Sequence, residues 1–169
     1  MYPIRKEKFM KFAHKHNIPA SGRKAWEMTS NPDFIVDSYK KANATYKLIS
    51  SEERDGKTYN RILVTVNESL PGFAAKFLGA TNLSYEQNEV VDNNIMHNQW
   101  EIIVPKISSK VKATGSFTIQ DQGTSCVRLV EGEVKVSIPL IGGKIEKLIA
   151  KQLGKSQEDI AKLLTEKLQ

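Results

Sequence analysis

The chain has 169 residues, 40% hydrophobic and 26% charged, a composition that predicts one folded soluble domain over residues 1–169 and excludes a disordered polypeptide. No apolar run approaches the roughly 18 residues of a membrane-spanning helix, and the N-terminus lacks a secretory signal, so we expect a cytoplasmic protein. The formal net charge of +6 comes from scattered lysines without the interleaved aromatic residues of a single-strand binder, so we expect no nucleic acid partner.

The N-terminal part predicts one strand and two short helices. Residues 5–18 alternate imperfectly among lysines, which indicates an edge strand or a bulge. Residues 20–28 have helical periodicity, and Pro32 at a first helical turn begins a second helix.

Six strands are predicted in succession from Ala44 onward. Turn segments rich in Asp, Asn and Gly separate hairpin partners at Asp55-Gly56, at 92–94 and at 121–123. A short apolar helix at 73–78 interrupts the series between the second and third of these strands.

The last strand leads into a C-terminal helix. From Val130 its even positions are apolar or glycine and its odd positions are polar, which is typical of a half-buried strand. Pro139 ends the strand, and Gly142-Gly143 turn the chain into a helix whose apolar stripe needs a sheet to cover. Ser156, followed three residues later by an acidic residue, predicts a further helix start in the tail.

The element order is β-α-α-β6-α with a short extra helix, and it predicts an α+β protein. Hairpin-connected strands favour an antiparallel sheet, here of about seven strands, curved around the long C-terminal helix. The cysteine Cys126 is single, which excludes an internal disulfide, and it is expected in the core.

The passage GEVKVSIPLIGGKIEK at 132–147, with Leu70-Pro-Gly-Phe, Phe77-Leu-Gly and Trp100, resembles one family. It is similar to a bacterial branch, of unknown function, of the START-like superfamily of polyketide cyclases and lipid-transfer proteins. The resemblance covers nearly the whole chain and implies a helix-grip fold with a cavity between the sheet and the C-terminal helix. It implies no substrate, because one fold serves many functions.

We predict that the chain binds or carries a hydrophobic small molecule or lipid in this cavity. The candidate ligand-binding residues are apolar side chains of the strands, of the short helix and of the C-terminal helix: Phe73, Phe77, Leu78, Trp100, Ile102, Phe117, Val134, Val136, Ile145 and Ile149. For the strand residues the alternative is ordinary core packing. The short helix at 73–78 is suited equally to be a lid over the cavity or a plug for the open end of the sheet.

Two other functions stay open. A cyclase-type or hydrolase-type enzyme acting on an aromatic or polyketide-like substrate would need a general base inside the cavity. A protein-interaction module would have its cavity filled by side chains. No nucleophile elbow is present and Cys126 has no activating signature, so we predict no catalytic residue, no metal site and no cofactor.

The histidines and two arginines are the remaining candidates for chemistry. His14 and His16 share one face of the first strand and would form half of a metal site if a carboxylate approached from elsewhere. Their polar surroundings favour two solvated surface residues instead. His97 is expected to point outward, and Arg61 and Arg128 are expected to face solvent, with contact to a ligand head group as the alternative.

The C-terminal helix carries one basic line, formed by Lys144, Lys147, Lys151 and Lys155. Solvation of the helix is the ordinary role of such a line. Weak contact with an anionic membrane is the alternative.

Overall fold

The computed structural model of the protein describes residues 8–169, so the start of the predicted strand 5–18 lies outside the described part. Its strands are β1 (Met10–Ile18), β2 (Ala44–Arg54), β3 (Lys57–Ser69), β4 (Asn82–Asp92), β5 (His97–Ile103), β6 (Val111–Asp121) and β7 (Cys126–Val136). Its helices are α1 (Gly22–Thr29), α2 (Pro32–Lys41), α3 (Gly72–Leu78) and α4 (Gly142–Leu168), and a short 3₁₀ turn covers Pro105–Ile107.

The strands form one antiparallel sheet in the order β1-β7-β6-β5-β4-β3-β2. Strands β2 to β7 are therefore neighbours in chain order, and β1 lies at the edge beside β7. Between β2 and β3, Asp55 and Gly56 have φ values of 52° and 74°, the positive values of the hairpin turn that the sequence predicts. The predicted α+β fold with about seven strands and a long C-terminal helix is confirmed.

The C-terminal helix is one continuous element, and the prediction that Ser156 starts a further helix is wrong. Leu153 and Ile160, on either side of Ser156, both pack toward the core. Because one apolar stripe runs through both turns, the helix continues without a restart. None of the helices in the described residues is both long and apolar enough to cross a bilayer.

Helix α4 packs against β1 and β7, and we call the face of the sheet that it covers the inner face. Beneath its first turns lies the N-terminal cluster, formed by Trp100, Ile102, Val104, Val111, Ala113, Val134, Val136 and Ile145. Beneath its last turns lies the C-terminal cluster, formed by Ile18, Ala20, Ala25, Trp26, Phe34, Ile119, Cys126, Leu163 and Leu164. Between the two clusters, at 148–160, no residue of α4 is fully buried.

Candidate functional site

Most of the predicted ligand-binding residues come together on the inner face beneath the start of α4. They belong to the N-terminal cluster or pack against it: Leu78, Trp100, Ile102, Val134, Val136, Ile145 and Ile149.

The other three predicted residues lie elsewhere. Phe117 packs against the C-terminal cluster, with its ring centroid 5.7 Å from that of Trp26. Phe73 is 40% exposed, and Phe77 is half-buried outside the clusters. Helix α3 therefore contacts the N-terminal cluster through Leu78, while its phenylalanines stand apart.

One row of inward-facing residues crosses six strands at the centre of the sheet. This central row consists of Asn60, Glu89, Trp100, Gly115, Gly132 and Phe12. A Cβ at Gly115 would collide with the Trp100 indole, and one at Gly132 would collide with the Phe12 ring. The two aromatic rings therefore lie directly on glycine backbone, with centroids 6.3 Å apart and planes inclined by 19°.

The central row changes from aromatic to polar at Glu89, which is half-buried. Gln87 Nε2 donates a hydrogen bond to Glu89 Oε1 at 2.7 Å. Burial raises the pKa of Glu89 above its ordinary value, and hydrogen bonds from the side chains of Gln87, Asn60 and Asn98 offset this only in part. A glutamate with a raised pKa exchanges its proton nearer to neutral pH, which is the property of a general acid or base.

Three tyrosines border the same region. The hydroxyl of Tyr39 lies 3.4 Å from Gln87 Nε2, and its ring centroid lies 5.0 Å from that of Tyr46. Burial, reinforced by the negative charge of Glu89, raises the pKa of Tyr39 well above its ordinary value, and burial raises the pKa of Tyr85 to about 12. These hydroxyls stay protonated at neutral pH and can donate hydrogen bonds. We call Tyr39, Asn60, Gln87 and Glu89 the polar wall.

The polar wall was not predicted from the sequence. A signal was present, because Gln87 and Glu89 follow Tyr85 at steps of two along β4 and so share its inward face. Polar residues on the same face of a strand as Tyr85 have two explanations: that face is the inner one and is reached by solvent, or it is the outer one. Only the pairing of Glu89 with Trp100 on β5 decides between these.

His14 and His16 are not the solvated pair that the sequence favours. Glu158 of α4 places its Oε1 2.9 Å from His14 Nδ1 and 2.9 Å from His16 Nε2. The side chains of His14 and His16 are 25% and 9% exposed, so the prediction is wrong for His16 because α4 covers it. His97 lies on the opposite face of the sheet, as predicted, with Nδ1 2.7 Å from the Thr118 hydroxyl.

The two arginines have different environments. Arg61 is exposed, as predicted, and its guanidinium pairs with the Glu86 carboxylate at 2.9 Å. Arg128 is only 2% exposed, so its prediction as a solvent-facing residue is wrong. It donates from Nη2 to Gln157 Oε1 at 2.6 Å and stacks its guanidinium 4.8 Å from the Phe117 centroid. Burial lowers its pKa to about 10, against the opposing effect of Glu158, so Arg128 keeps its charge at neutral pH.

An open groove of about 920 Å³ lies on the other side of the sheet. Its walls are mostly the outward residues that alternate with the inner face, among them Gln99, Glu101, Glu131 and Glu133. Charged, open walls suit neither burial of an apolar molecule nor exclusion of water. The candidate site for a hydrophobic ligand is therefore the inner face at Trp100 and the polar wall.

Comparison with known proteins supports the fold assignment. The family model described as "Protein of unknown function (DUF2505)" matches residues 13–168. No curated protein sequence matches the chain. Among solved structures, the ZhuI aromatase/cyclase from Streptomyces sp. R1128 is similar, with a TM-score of 0.69 at 9% identity over 95% of this chain and 94% of that one.

Two further structures have the same fold. Norcoclaurine synthase from Thalictrum flavum, in complex with dopamine and hydroxybenzaldehyde, gives a TM-score of 0.62 at 19% identity over 94% of this chain and 88% of that one. A START superfamily protein from Mycobacterium smegmatis gives a TM-score of 0.55 at 14% identity over 95% of this chain and 97% of that one. The START-like, helix-grip fold that the resemblance implied is confirmed; at these identities the likeness shows the fold alone.

Proposed function

The chain belongs to the DUF2505 family, and we propose that it binds a hydrophobic, ring-bearing small molecule or lipid between the inner face and the helices. The observation that carries this proposal is the junction of Glu89 with Trp100 in the central row. An apolar aromatic surface there adjoins polar groups that are only half-buried, so solvent reaches the inner face at this point. Ligand sites typically combine mostly apolar walls with a few polar groups that fix orientation.

Each part of the junction has a separate role in this proposal. Trp100 and Phe12, held flat on glycine backbone, provide a rigid surface for an apolar ring. Glu89 accepts and Tyr39 donates hydrogen bonds, so a ligand with a hydroxyl or amine group would be oriented toward the polar wall. Helix α3, which reaches the N-terminal cluster through Leu78, would act as the lid.

Delivery from a membrane is a further part of the proposal. Lys144, Lys147, Lys151 and Lys155 are exposed, and the fully exposed Leu140 precedes the helix that carries them. A basic line beside an exposed apolar side chain favours contact with an anionic bilayer, at about 1 kcal/mol per lysine.

Titration with a fluorescent fatty acid or apolar dye tests binding. We expect saturable binding to the native protein, weakened about two- to tenfold by Trp100→Phe, because an aromatic contact contributes about 0.5–1.5 kcal/mol. Trp26→Phe is the matched control, since Trp26 lies in the C-terminal cluster and bonds Asn93 at 2.8 Å. Absence of binding, or binding only to partly unfolded protein, would contradict the proposal.

The same probe, presented in vesicles, tests membrane delivery. Transfer to the protein should be faster from anionic than from neutral vesicles, and replacing the four lysines by glutamine should remove the difference. Equal transfer from both kinds of vesicle would leave the basic line as a solubility feature.

An acid–base enzyme on an aromatic or polyketide-like substrate is the second candidate function. Glu89 favours it, because this inward-pointing carboxyl has a raised pKa and lies beside an aromatic surface. Catalysis would appear as turnover that Glu89→Gln removes while probe binding persists. Binding of the probe without any turnover would contradict the enzyme and favour the carrier function.

A further inference from the structure

A second group of polar residues lies where α4 crosses β1, outside the proposed ligand site. His14 Nδ1 and His16 Nε2 each lie 2.9 Å from the same atom, Glu158 Oε1. The two imidazole rings are parallel to within 5°, with centroids 5.9 Å apart. Three side chains from two elements thus converge on one point.

The backbone explains why they meet. His14 and His16 are two residues apart on β1, so both point to the inner face. Gly154 of α4 lies over His14, and a Cβ there would stand 3.2 Å from His14 Nε2. A larger residue at 154 would press on the ring, so this glycine lets the helix approach closely enough for Glu158 to reach both histidines.

We propose that His14, His16 and Glu158 form a binding site for a divalent transition-metal ion such as Zn²⁺. Their ligand atoms all lie within 4.8 Å of one another. A tetrahedral ion with bonds of about 2.1 Å holds its ligand atoms about 3.4 Å apart. To admit the ion, the two distances of 2.9 Å between a histidine nitrogen and Glu158 Oε1 must lengthen by about 0.5 Å, which small side-chain shifts allow. Two imidazoles and one carboxylate suit Zn²⁺ and similar ions, whereas Mg²⁺ and Ca²⁺ prefer oxygen ligands.

Metal binding moves protons within the cluster. Without metal, a hydrogen bond to Glu158 requires the proton on His14 Nδ1 and on His16 Nε2. As a ligand, each of these nitrogens gives up its proton, and in the neutral ring the other nitrogen carries it. His16 Nδ1 has no hydrogen-bond partner among the described residues, so the exchange breaks no existing bond there.

Charge and access set limits on the site. The guanidinium of Arg128, which pairs with Gln157 next to Glu158, opposes a dication, and the carboxylate of Glu158 offsets it. Glu158 is 47% exposed, so an ion can enter from solvent on the α4 side. Three protein ligands leave a fourth position for water, which is the arrangement of a zinc site open to a further ligand.

Competition with a chromophoric zinc chelator, on protein freed of any histidine tag, tests the site. We expect one Zn²⁺ to bind per chain and the Tm to rise on adding Zn²⁺ but not Mg²⁺. When Co²⁺ replaces Zn²⁺, its visible absorption spectrum should be that of a four-coordinate ion. His14→Ala and Glu158→Gln should each weaken Zn²⁺ binding more than about 100-fold, beyond the 10–100-fold typical of an outer-shell partner. Circular dichroism confirms that each variant is folded, and the exposed Glu158→Gln is the variant least expected to disturb the fold.

Matched controls separate this site from adventitious binding. His97→Ala removes a histidine on the opposite face, and Glu166→Gln removes another α4 carboxylate, which pairs with Lys41 at 3.6 Å. Both should keep the wild-type affinity. The proposal is overturned if no stoichiometric Zn²⁺ binds, if binding survives both His14→Ala and Glu158→Gln, or if the controls lose it equally.

Discussion

The inner face of the sheet has two unlike halves. Beneath the start of α4, Val134, Val136 and Ile145 are at most 8% exposed and form a dry core. At the polar wall, Gln87 and Glu89 of β4 point to the same side of the sheet but are half-buried, although Ile62, which pairs with Gln87 on β3, is only 2% exposed. The alternation of the strands is the same in both halves, and the difference lies in what covers them.

This difference separates what holds the fold from what is available for function. Close packing beneath α4 contributes stability through buried apolar area. The polar wall buries the Glu89 carboxyl and the Tyr39 hydroxyl, which costs free energy unless they are hydrogen-bonded. Polar residues placed at such a cost, beside the Trp100 indole, are the ones expected to contact a ligand.

The largest effect is expected in the dry half. Ile145→Asp should lower the free energy of unfolding by about 3 kcal/mol or more, because it buries an unpaired charge in the N-terminal cluster. Denaturant unfolding measures it. Lys151→Asp, at an exposed position of the same helix, should change stability by less than about 0.5 kcal/mol; equal effects would mean that α4 does not cover the sheet as described.

An intermediate effect is expected where the two halves meet, at the central row. Gly115→Ala should destabilise the protein by about 1–3 kcal/mol, because its Cβ would meet the Trp100 indole and stand 2.6 Å from the Glu131 carbonyl oxygen. Gly143→Ala should have the opposite sign, a gain of up to about 1 kcal/mol, since that helical position has open space around it. Thermal unfolding compares the two, and a neutral Gly115→Ala would show that the indole does not lie on the glycine.

The smallest effect is expected at the polar wall, and it depends on pH. Because the pKa of Glu89 is raised in the folded protein, its contribution favours folding at low pH and is lost as pH rises from its ordinary value of 4.5 through the folded pKa. The Tm of Glu89→Gln should therefore rise relative to that of the wild type as pH increases over this window. Above the window, the difference between the two Tm values should stay constant. A difference in Tm that does not depend on pH would show that Glu89 is as well solvated as a surface carboxylate.

The sequence predicts the strands and the short apolar helix well, because alternation and turn residues are local signals. Asp55-Gly56 and the helix at 73–78, observed as Gly72–Leu78, are examples. The apolar residues of the N-terminal cluster were also identified, since apolar positions of a half-buried strand face the core wherever the strand lies.

The polar residues were harder to place, because their environment depends on distant partners. Arg128 is buried because Gln157, from α4, and the Phe117 ring meet it. His16 is covered because Glu158 comes from a helix 142 residues further along the chain. Local sequence around each of these residues is polar, and it indicates a surface position in the absence of the tertiary contact.

The position of β1 in the sheet has a consequence for how the chain is synthesised. Met10–Ile18 pairs with Val134–Cys126, so within the described residues the first strand in the chain has the last strand as its partner. Strands β2 to β6 can pair with their neighbours as they emerge, but β1 has no partner strand until β7 has been made. Closure of the sheet, and with it the meeting of β1 with α4, therefore waits until β7 and α4 have been made, long after β1 itself.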